Sequence, residues 1–346
     1  MGTKPTIQLV AQKAGVSITT VSRVLNSHPA VLPETRAKVL SVMKDLDYKP
    51  NQLARGLSTN GFDAILVIYT RSSNRGTDNP YFSTVISAIG IVAEANNYDL
   101  ILHSGDDEDK EIEKALSMIS SRLIKGIILL SSRINSKFIE VVSATSIPIV
   151  VIGKYSTQIQ APNVISVDTD NYSDCWEIGS YLVQMGHRKI GCVHAPLTHY
   201  VAVDRLAGFQ DALRSHGIEA VEDCFVDGGN TIDSAYMATV SLLCSHKVTA
   251  IFATDDLKAL GVYKAAKSMH MEVPEELSVI GHNDFEFSSL LTPALTTVRV
   301  PIHELGLLSA SKLFSMMSSK DVEHSQMIPT DMILRNSVKM VMQSVE

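Results

Sequence analysis

Apolar positions keep one rhythm up to about residue 60 and another beyond it. In the first stretch they recur every three or four places, the spacing of one helical face. Ile7, Val10 and Ala11 make the inner face of a helix that Thr6 can cap and Gly15 closes. Ile18, Val21, Val24 and Leu25 make the inner face of a second helix, capped by Ser17. A third is expected from Pro33, a residue suited to a first helical turn, to about Asp47, with Ala37, Leu40, Val42, Met43 and Leu46 apolar. Pro50 then halts any continuous helix, and Gly56 and Gly61 lower helical stability, so this segment reads as a linker that turns helical only when held.

From Phe62 onward, continuously apolar runs alternate with amphipathic stretches. "DAILVIYT", "YDLILHSG", "GIILLSS" and "IPIVVIGK" are predicted strands, separated by helices around Phe82 to Asn96, Glu108 to Arg122 and Asn135 to Ala144. "VISVD", "KIGCVHA", "TAIFATDD", "LSVIGHND" and "LTTVRV" form a second series, again with helices between. Such strands imply parallel sheets covered on both faces, and two series imply two doubly wound α/β lobes with a ligand crevice at the strands' carboxyl ends. The expected architecture is α+β overall. An all-α head at 1–49 and a hinge or linker at 50–61 precede a two-lobed core at 62–346, with lobe crossovers near 165 and 295.

Charge follows the same division. The first sixty residues hold eight Lys or Arg against three Asp or Glu, about +5, which leaves about −12 on the rest. A basic head on an acidic body points to a polyanion-binding module. No apolar run approaches the length of a membrane span and no signal-peptide pattern opens the chain, so a cytoplasmic protein without membrane association is expected. Cys175, Cys192, Cys224 and Cys244 are spaced for neither a disulfide framework nor a zinc site. No phosphate-binding loop, nucleophile elbow, metalloprotease motif or dinucleotide fingerprint occurs, so no catalytic residue, cofactor or metal is expected.

The outer face of the second helix carries Ser17, Thr19, Thr20, Ser22, Arg23 and Asn26 and is free of acid. A helix, a glycine turn and a helix opening on Ser and Thr form a helix-turn-helix, whose second helix enters the major groove. Ile18 and Thr19 sit where base edges are met; Ser17, Thr20 and Ser22 suit phosphate oxygens, and Arg23 reaches either.

"TIQLVAQKAGVSITTVSRVLN" and "VLPETRAKVLSVMKDLDYKPNQLARGLST" closely resemble the DNA-binding head of the lactose-repressor (LacI/GalR) family of bacterial transcription regulators, and the likeness runs to the C-terminus. The resemblance implies a homodimer on a pseudo-palindromic operator, with paired hinges bending its centre. It makes Leu57 the minor-groove wedge and places Asn51, Ala54 and Arg55 on the hinge's groove face. It also adds Thr6 and Tyr48 to the DNA-facing set, Tyr48 packing on the head and touching a phosphate. One departure is Leu32, where family members carry a cap before the third helix; the missing cap costs on the order of 1 kcal/mol. The core is expected to resemble periplasmic sugar-binding proteins. By that likeness Asp78, Asn79, Tyr81 and Phe82 edge an effector site, Arg205 anchors the effector, and Asp255, Asn283 and Asp170 contribute to it. Asp256 and Asp284 are expected to cap and brace the following helices, Trp176 to be core, and His187 to be a helix-end cation.

"DNPYFS", "IVVIGK" and "SVDTDN" are most similar to maltose-operon regulators of Gram-positive bacteria, so the expected effector is a small sugar of maltose type and the expected activity repression of a carbohydrate-utilisation operon. Rivals are a global catabolite regulator of this fold with a phosphorylated carrier protein as corepressor, and a free sugar-binding protein of transport, which would need a signal peptide and no basic head; a purine effector also stays open. The C-terminal "TDMILRNSVKMVMQ" lacks sustained leucine heptads, so a dimer is expected rather than a coiled-coil tetramer.

Overall fold

The computed structural model describes residues 5–25, 28–48, 62–70, 79–105, 107–130, 133–159, 161–320 and 322–341. Two compact units result, Met1–Phe62 and Asp63–Glu346.

The first unit is helical: α1 (Ile7–Ala14), α2 (Ile18–Leu25) and α3 (Pro33–Asp45). The Thr6 hydroxyl accepts from the Leu9 N–H, and Gly15 closes α1 at φ +66°, a left-handed turn that favours glycine. Val10, Ala11, Ala14, Val21, Val24 and Val39 are the buried residues, with Tyr48 packed against them. Two expectations fail here. Ile18 is 47% exposed rather than inward, and on α3 it is Val39 that is buried while Leu40 is exposed. Leu32 supplies no side-chain cap to α3. The Arg36 guanidinium instead reaches back from α3 to the carbonyls of Val24 and His28.

In the second unit, β1 (Ala64–Thr70), β2 (Asp99–Gly105), β3 (Gly126–Leu129), β4 (Ile149–Ile152), β5 (Val164–Asp168) and β11 (Ser325–Met327) form one parallel sheet in the order β11-β5-β4-β3-β1-β2. Its faces carry α4 (Pro80–Ala95) with α11 (Ile302–Met317), and α5 (Glu108–Ser120) with α6 (Phe138–Ser143). Side chains of β3, β4 and β5 are buried throughout, as two-sided cover requires. The second sheet, β6 (Ile190–His194), β7 (Phe225–Asp227), β8 (Ala250–Ala253) and β9 (Ser278–Ile280), is parallel in the order β7-β6-β8-β9. It packs α7 (Asn171–Gln184) and α8 (Tyr200–Ser215) on one side and α9 (Ile232–Ser245) and α10 (Asp256–Ser268) on the other.

The chain changes lobe three times: between β5 and α7, between β10 (Thr297–Arg299) and α11, and between β11 and β12 (Asp331–Ile333). The third passage was not expected, and "VISVD", expected to open the second series, is β5 of the first sheet, paired with β4. "LTTVRV" was expected as a strand of the second parallel sheet, but β10 pairs antiparallel with β12 and meets the sheet only through the Ile280–Thr296 and Asn283–Arg299 bridges. Helices α7 and α8 approach backbone to backbone, since a Cβ on Gly208 would lie 2.1 Å from the Tyr172 carbonyl. Trp176 is not core; it is partly exposed on α7 beside His216. His187 is not a cation: buried, it bonds Thr249 Oγ1 and the Lys339 carbonyl, and burial pushes its pKa down. Cys175, Cys192 and Cys224 are buried and Cys244 is exposed, all as free thiols.

Candidate functional site

In the head, the Ser17 hydroxyl accepts the Thr20 N–H at 3.1 Å and pairs with the Thr20 hydroxyl at 2.9 Å. This fixes the first turn of α2 and leaves Ser17, Ile18, Thr19 and Arg23 exposed, with Thr20 and Ser22 half-buried. An exposed isoleucine next to hydroxyls and a guanidinium offers a methyl contact, donors and a cation on one face, the chemistry that base edges and phosphates accept. Thr6 and Tyr48 lie exposed and half-buried on the same unit. Asn26, Asn51, Ala54, Arg55 and Leu57 lie outside the described residues, as does Asp78 in the core.

Between the lobes opens a cleft of about 770 Å³, counting its mouth. Its floor is apolar, with Leu130, Ile152, Val300 and Leu305. Polar groups come from strand ends, as the parallel topology dictates: Lys154 beyond β4, Asp168 closing β5, Asp255 beyond β8 and Asn283 beyond β9. From the N-terminal lobe, Asn79 caps α4 by accepting the Tyr81 N–H at 3.0 Å, which sets Tyr81 and Phe82 at the cleft wall. The two rings meet edge to face with centroids 5.6 Å apart.

Arg205 comes from α8 and is 9% exposed. Its Nε donates to Asn171 Oδ1 at 2.8 Å, Nη1 to the Thr254 carbonyl at 2.6 Å and Nη2 to Asn283 Oδ1 at 3.4 Å. All three acceptors are neutral, and among the described residues no carboxylate pairs with it. The neighbouring Asp204 pairs instead with Lys154 across the cleft at 2.6 Å, an ion pair between lobes. A second link is the Ile134 N–H to the Thr198 carbonyl at 2.9 Å.

The carboxylates differ in state. Burial pushes the Asp168 pKa up to about 6, against the Thr169 N–H and the Arg205 and Lys154 charges. Burial also raises Asp255, but the Lys258 charge and its hydrogen bonds, with Arg205, outweigh it and leave the carboxyl below its ordinary value. Burial and then Asp168 hold the Tyr81 hydroxyl neutral, well above the usual phenol range.

Three expectations change on these contacts. The cap of α10 is Asp255, which accepts the Lys258 N–H; Asp256 is fully buried and accepts from the Phe285 N–H and the Ser288 and Thr297 hydroxyls. Asp284 caps nothing and braces β10 through ion pairs to Arg299 and Arg335. Asp170 is exposed and caps α7 through the Ser173 N–H, so it does not line the cleft. Asp168, Thr169 and Asn171 line it instead, as do Lys154 and Tyr200. Asp168 was findable, because it is the last residue of "VISVD" and strand carboxyl ends face the crevice.

Among the described residues no group of His, Cys, Asp and Glu could hold a metal ion, and no helix is long and apolar enough to cross a membrane.

A profile of bacterial regulatory proteins, lacI family, matches residues 6–51, and one of a periplasmic binding protein-like domain matches residues 180–338. The chain is 32% identical to the HTH-type transcriptional repressor PurR of Edwardsiella ictaluri (strain 93-146), over 91% of each chain. It is 31% identical to catabolite control protein A of Priestia megaterium, over 96% of this chain and 99% of that one. The lac repressor dimer bound to operator and the anti-inducer ONPF superposes with a TM-score of 0.85 at 25% identity, over 97% of this chain and 100% of the other.

Proposed function

Because the chain belongs to the lacI family of bacterial regulatory proteins, we propose that it is a homodimeric, cytoplasmic repressor of a carbohydrate-utilisation operon. A small sugar in the interlobe cleft sets its hold on operator DNA. The sugar is of maltose type, a reading supported by the likeness of "DNPYFS", "IVVIGK" and "SVDTDN" to maltose-operon regulators.

The observation that carries the effector reading is Arg205. A guanidinium has five N–H donors, three are spent on neutral acceptors, and the cation is nine-tenths buried without a carboxylate partner among the described residues. Buried charges are otherwise paired. The unspent donors face a cleft whose apolar floor, aromatic wall and ringed carboxylates and amides suit a pyranose with its many hydroxyls. Asn79, Tyr81, Phe82, Asp168, Asp255 and Asn283 complete the site.

On the DNA side, Ile18 and Thr19 meet base edges, and Thr6, Ser22, Arg23, Asn26 and Tyr48 meet the backbone. The Ser17–Thr20 pair holds the first turn of α2 in place. Leu57 wedges the operator centre, with Asn51, Ala54 and Arg55 beside it. The lobes close on the sugar, with Lys154–Asp204 at the mouth, and closure biases the dimer state that keeps the hinges paired. Coupling of this kind is reciprocal, so operator DNA must shift sugar affinity by the same factor. Binding to DNA weakens steeply with salt as phosphate contacts release counterions.

The test is a thermal-shift screen of the full chain against mono- and disaccharides, sugar phosphates and nucleobases, with a phosphorylated carrier protein as a further arm. A ligand at about a hundred times its Kd stabilises the folded state by about 2.7 kcal/mol. A shift with maltose or a related neutral sugar, lost in Arg205→Ala, supports the reading. A shift with purines alone, or with the carrier protein alone, replaces the sugar by those rivals.

A further inference from the structure

Behind the cleft lies a buried pair that the effector reading does not use. His282, between β9 and Asn283, is fully buried, and Asp174 of α7 is nearly so. His282 Nε2 faces Asp174 Oδ2 at 3.4 Å, and these are the two buried side-chain polar atoms left without a hydrogen-bond partner among the described residues. On its other edge, His282 Nδ1 lies 3.3 Å from Asn283 Oδ1. The remaining Asp174 oxygen, Oδ1, accepts from the Thr330 hydroxyl on the β11–β12 passage between lobes. The contacts therefore lead from a lobe crossover to the effector cleft, with one unsatisfied link, Asp174 to His282.

Donor and acceptor counting defines what this chain of contacts can do. Arg205 only donates, so the Asn283 atom that meets its Nη2 must be the oxygen. His282 Nδ1 faces that same oxygen and must carry a hydrogen to bond it. A neutral ring has one hydrogen, and with it on Nδ1, the Nε2 lone pair confronts a carboxylate oxygen. With the hydrogen on Nε2 instead, Asp174 is satisfied and Asn283 loses its hold. The charged groups acting on the ring are Asp174 from α7 and Arg205 from α8. From α10, the Asp256 N–H bonds the His282 carbonyl at 3.0 Å, its carboxylate taken up by Phe285, Ser288 and Thr297. From β10, Arg299 is held by Asp284. Burial and then the Arg205 charge push the imidazole pKa below its ordinary value, Asp174 and Asn283 opposing in part. At neutral pH the ring therefore has a single hydrogen to give.

We propose that His282 is a positioning residue whose one ring hydrogen holds the Asn283 amide oxygen toward Arg205, and that Asp174 competes for that hydrogen from the crossover side. When the hydrogen sits on Nδ1, Asn283 keeps its oxygen on Arg205 and leaves its NH2 for the cleft. When it moves to Nε2, Arg205 alone holds that oxygen and the amide turns more readily. The state of the Thr330 passage is thereby felt at the cleft.

The test is the isosteric Asp174→Asn. Its carbonyl keeps the Thr330 bond and its NH2 donates to Nε2, which locks the ring hydrogen on Nδ1 at every pH. Melting of the full chain without ligand is compared at about pH 8, where the ring holds one hydrogen. The variant is expected to melt above wild type by about 3 °C. A variant that melts at or below wild type overturns the proposal. His282→Phe reads the ring from the other side: burial makes the imidazole take a proton less readily folded than unfolded, so wild type must lose on this variant as pH falls from about 8 to about 5.5; a gain by wild type overturns the single-hydrogen ring on which the proposal stands. The ligand arm rests on the effector reading and uses maltose by calorimetry at about pH 8, with Asp174→Asn expected to bind about fivefold more tightly than wild type; equal or weaker binding beside wild-type binding overturns the link from His282 to the cleft. If maltose binds neither protein, the sugar reading fails and the melting comparison alone decides the role of His282.

Discussion

Arg205→Ala removes a side chain that ties α8 to the start of α7 and to the ends of β8 and β9 at the cleft floor, through bonds of 2.8, 2.6 and 3.4 Å. Two effects follow, and they separate experimentally. In the free protein, Asn171 Oδ1, the Thr254 carbonyl and Asn283 Oδ1 lose a shared donor, but they border a cleft that water can enter. The stability loss is therefore about 1–3 kcal/mol rather than the sum of three charge-assisted bonds, or roughly 3–10 °C in melting temperature for a unit of this size. In the complex, the unspent guanidinium donors each make a charge-assisted bond worth about 1.5–3 kcal/mol. Losing two weakens effector binding by at least about 3 kcal/mol, roughly a hundredfold or more in Kd. Arg205→Lys retains the charge without the fork and should fall between wild type and Arg205→Ala. Calorimetry with the sugar that gives wild type its largest thermal shift reads the second effect, and melting without sugar reads the first. Affinity within about threefold of wild type in Arg205→Ala would refute the anchoring role, whatever happened to stability.

Three further outcomes are expected. Ile18→Ala, at an exposed position, should leave the head's melting temperature within about 1 °C of wild type and weaken sequence-specific DNA binding about fivefold in fluorescence anisotropy; a large stability loss with unchanged DNA affinity would return Ile18 to the core. Lys154→Ala breaks a half-exposed interlobe ion pair worth at most about 1 kcal/mol, so stopped-flow release of the effector should quicken by a few-fold and its salt dependence should flatten. Burial holds the Asp256 pKa near 7, against the hydrogen bonds from Ser288, Thr297 and the Phe285 N–H. That carboxyl ionises at about pH 4 when unfolded, so wild-type stability is fullest below that pH and is lost as pH rises to about 7. Asp256→Asn, with its carbonyl on Phe285 and Ser288 and its NH2 on Thr297, should gain on wild type across that window in melts from about pH 5 to 8; a constant difference contradicts the assignment.

Much of the architecture was legible because it follows from periodicity. Long apolar runs between amphipathic stretches can be satisfied only by parallel strands covered on both faces, and β1, β3, β4, β6 and β8 lie where those runs are. What periodicity cannot do is choose between neighbours at the margin of a stripe. Val39 and Leu40 are adjacent on α3, and the packing of α1 and α2 buries the first. Ile18 fits the spacing of Val21 and Val24, but it opens an eight-residue helix whose first turn projects past the core. β7, β11 and β12 have three residues each, too few to show alternation, and each lies at a sheet margin or in the two-stranded ribbon. The passage between β11 and β12 followed them out of view. At the site, Arg205, Asn283 and Asp255 were legible as effector-site residues only through family resemblance. That Asp255 and not Asp256 caps α10 depended on where that helix begins, a matter of one residue. The pairing of Asp174 with His282 joins residues 108 positions apart, and no local pattern announces it.

The most direct test of the whole account is selection of duplex DNA from a random-sequence library by the full-length protein, run with and without maltose. The account predicts enrichment of a pseudo-palindrome whose two halves are read by α2 of each subunit, and a change in that enrichment when the sugar is present. Retention of DNA without any enriched sequence, or an enriched site indifferent to every sugar in the screen, would contradict it.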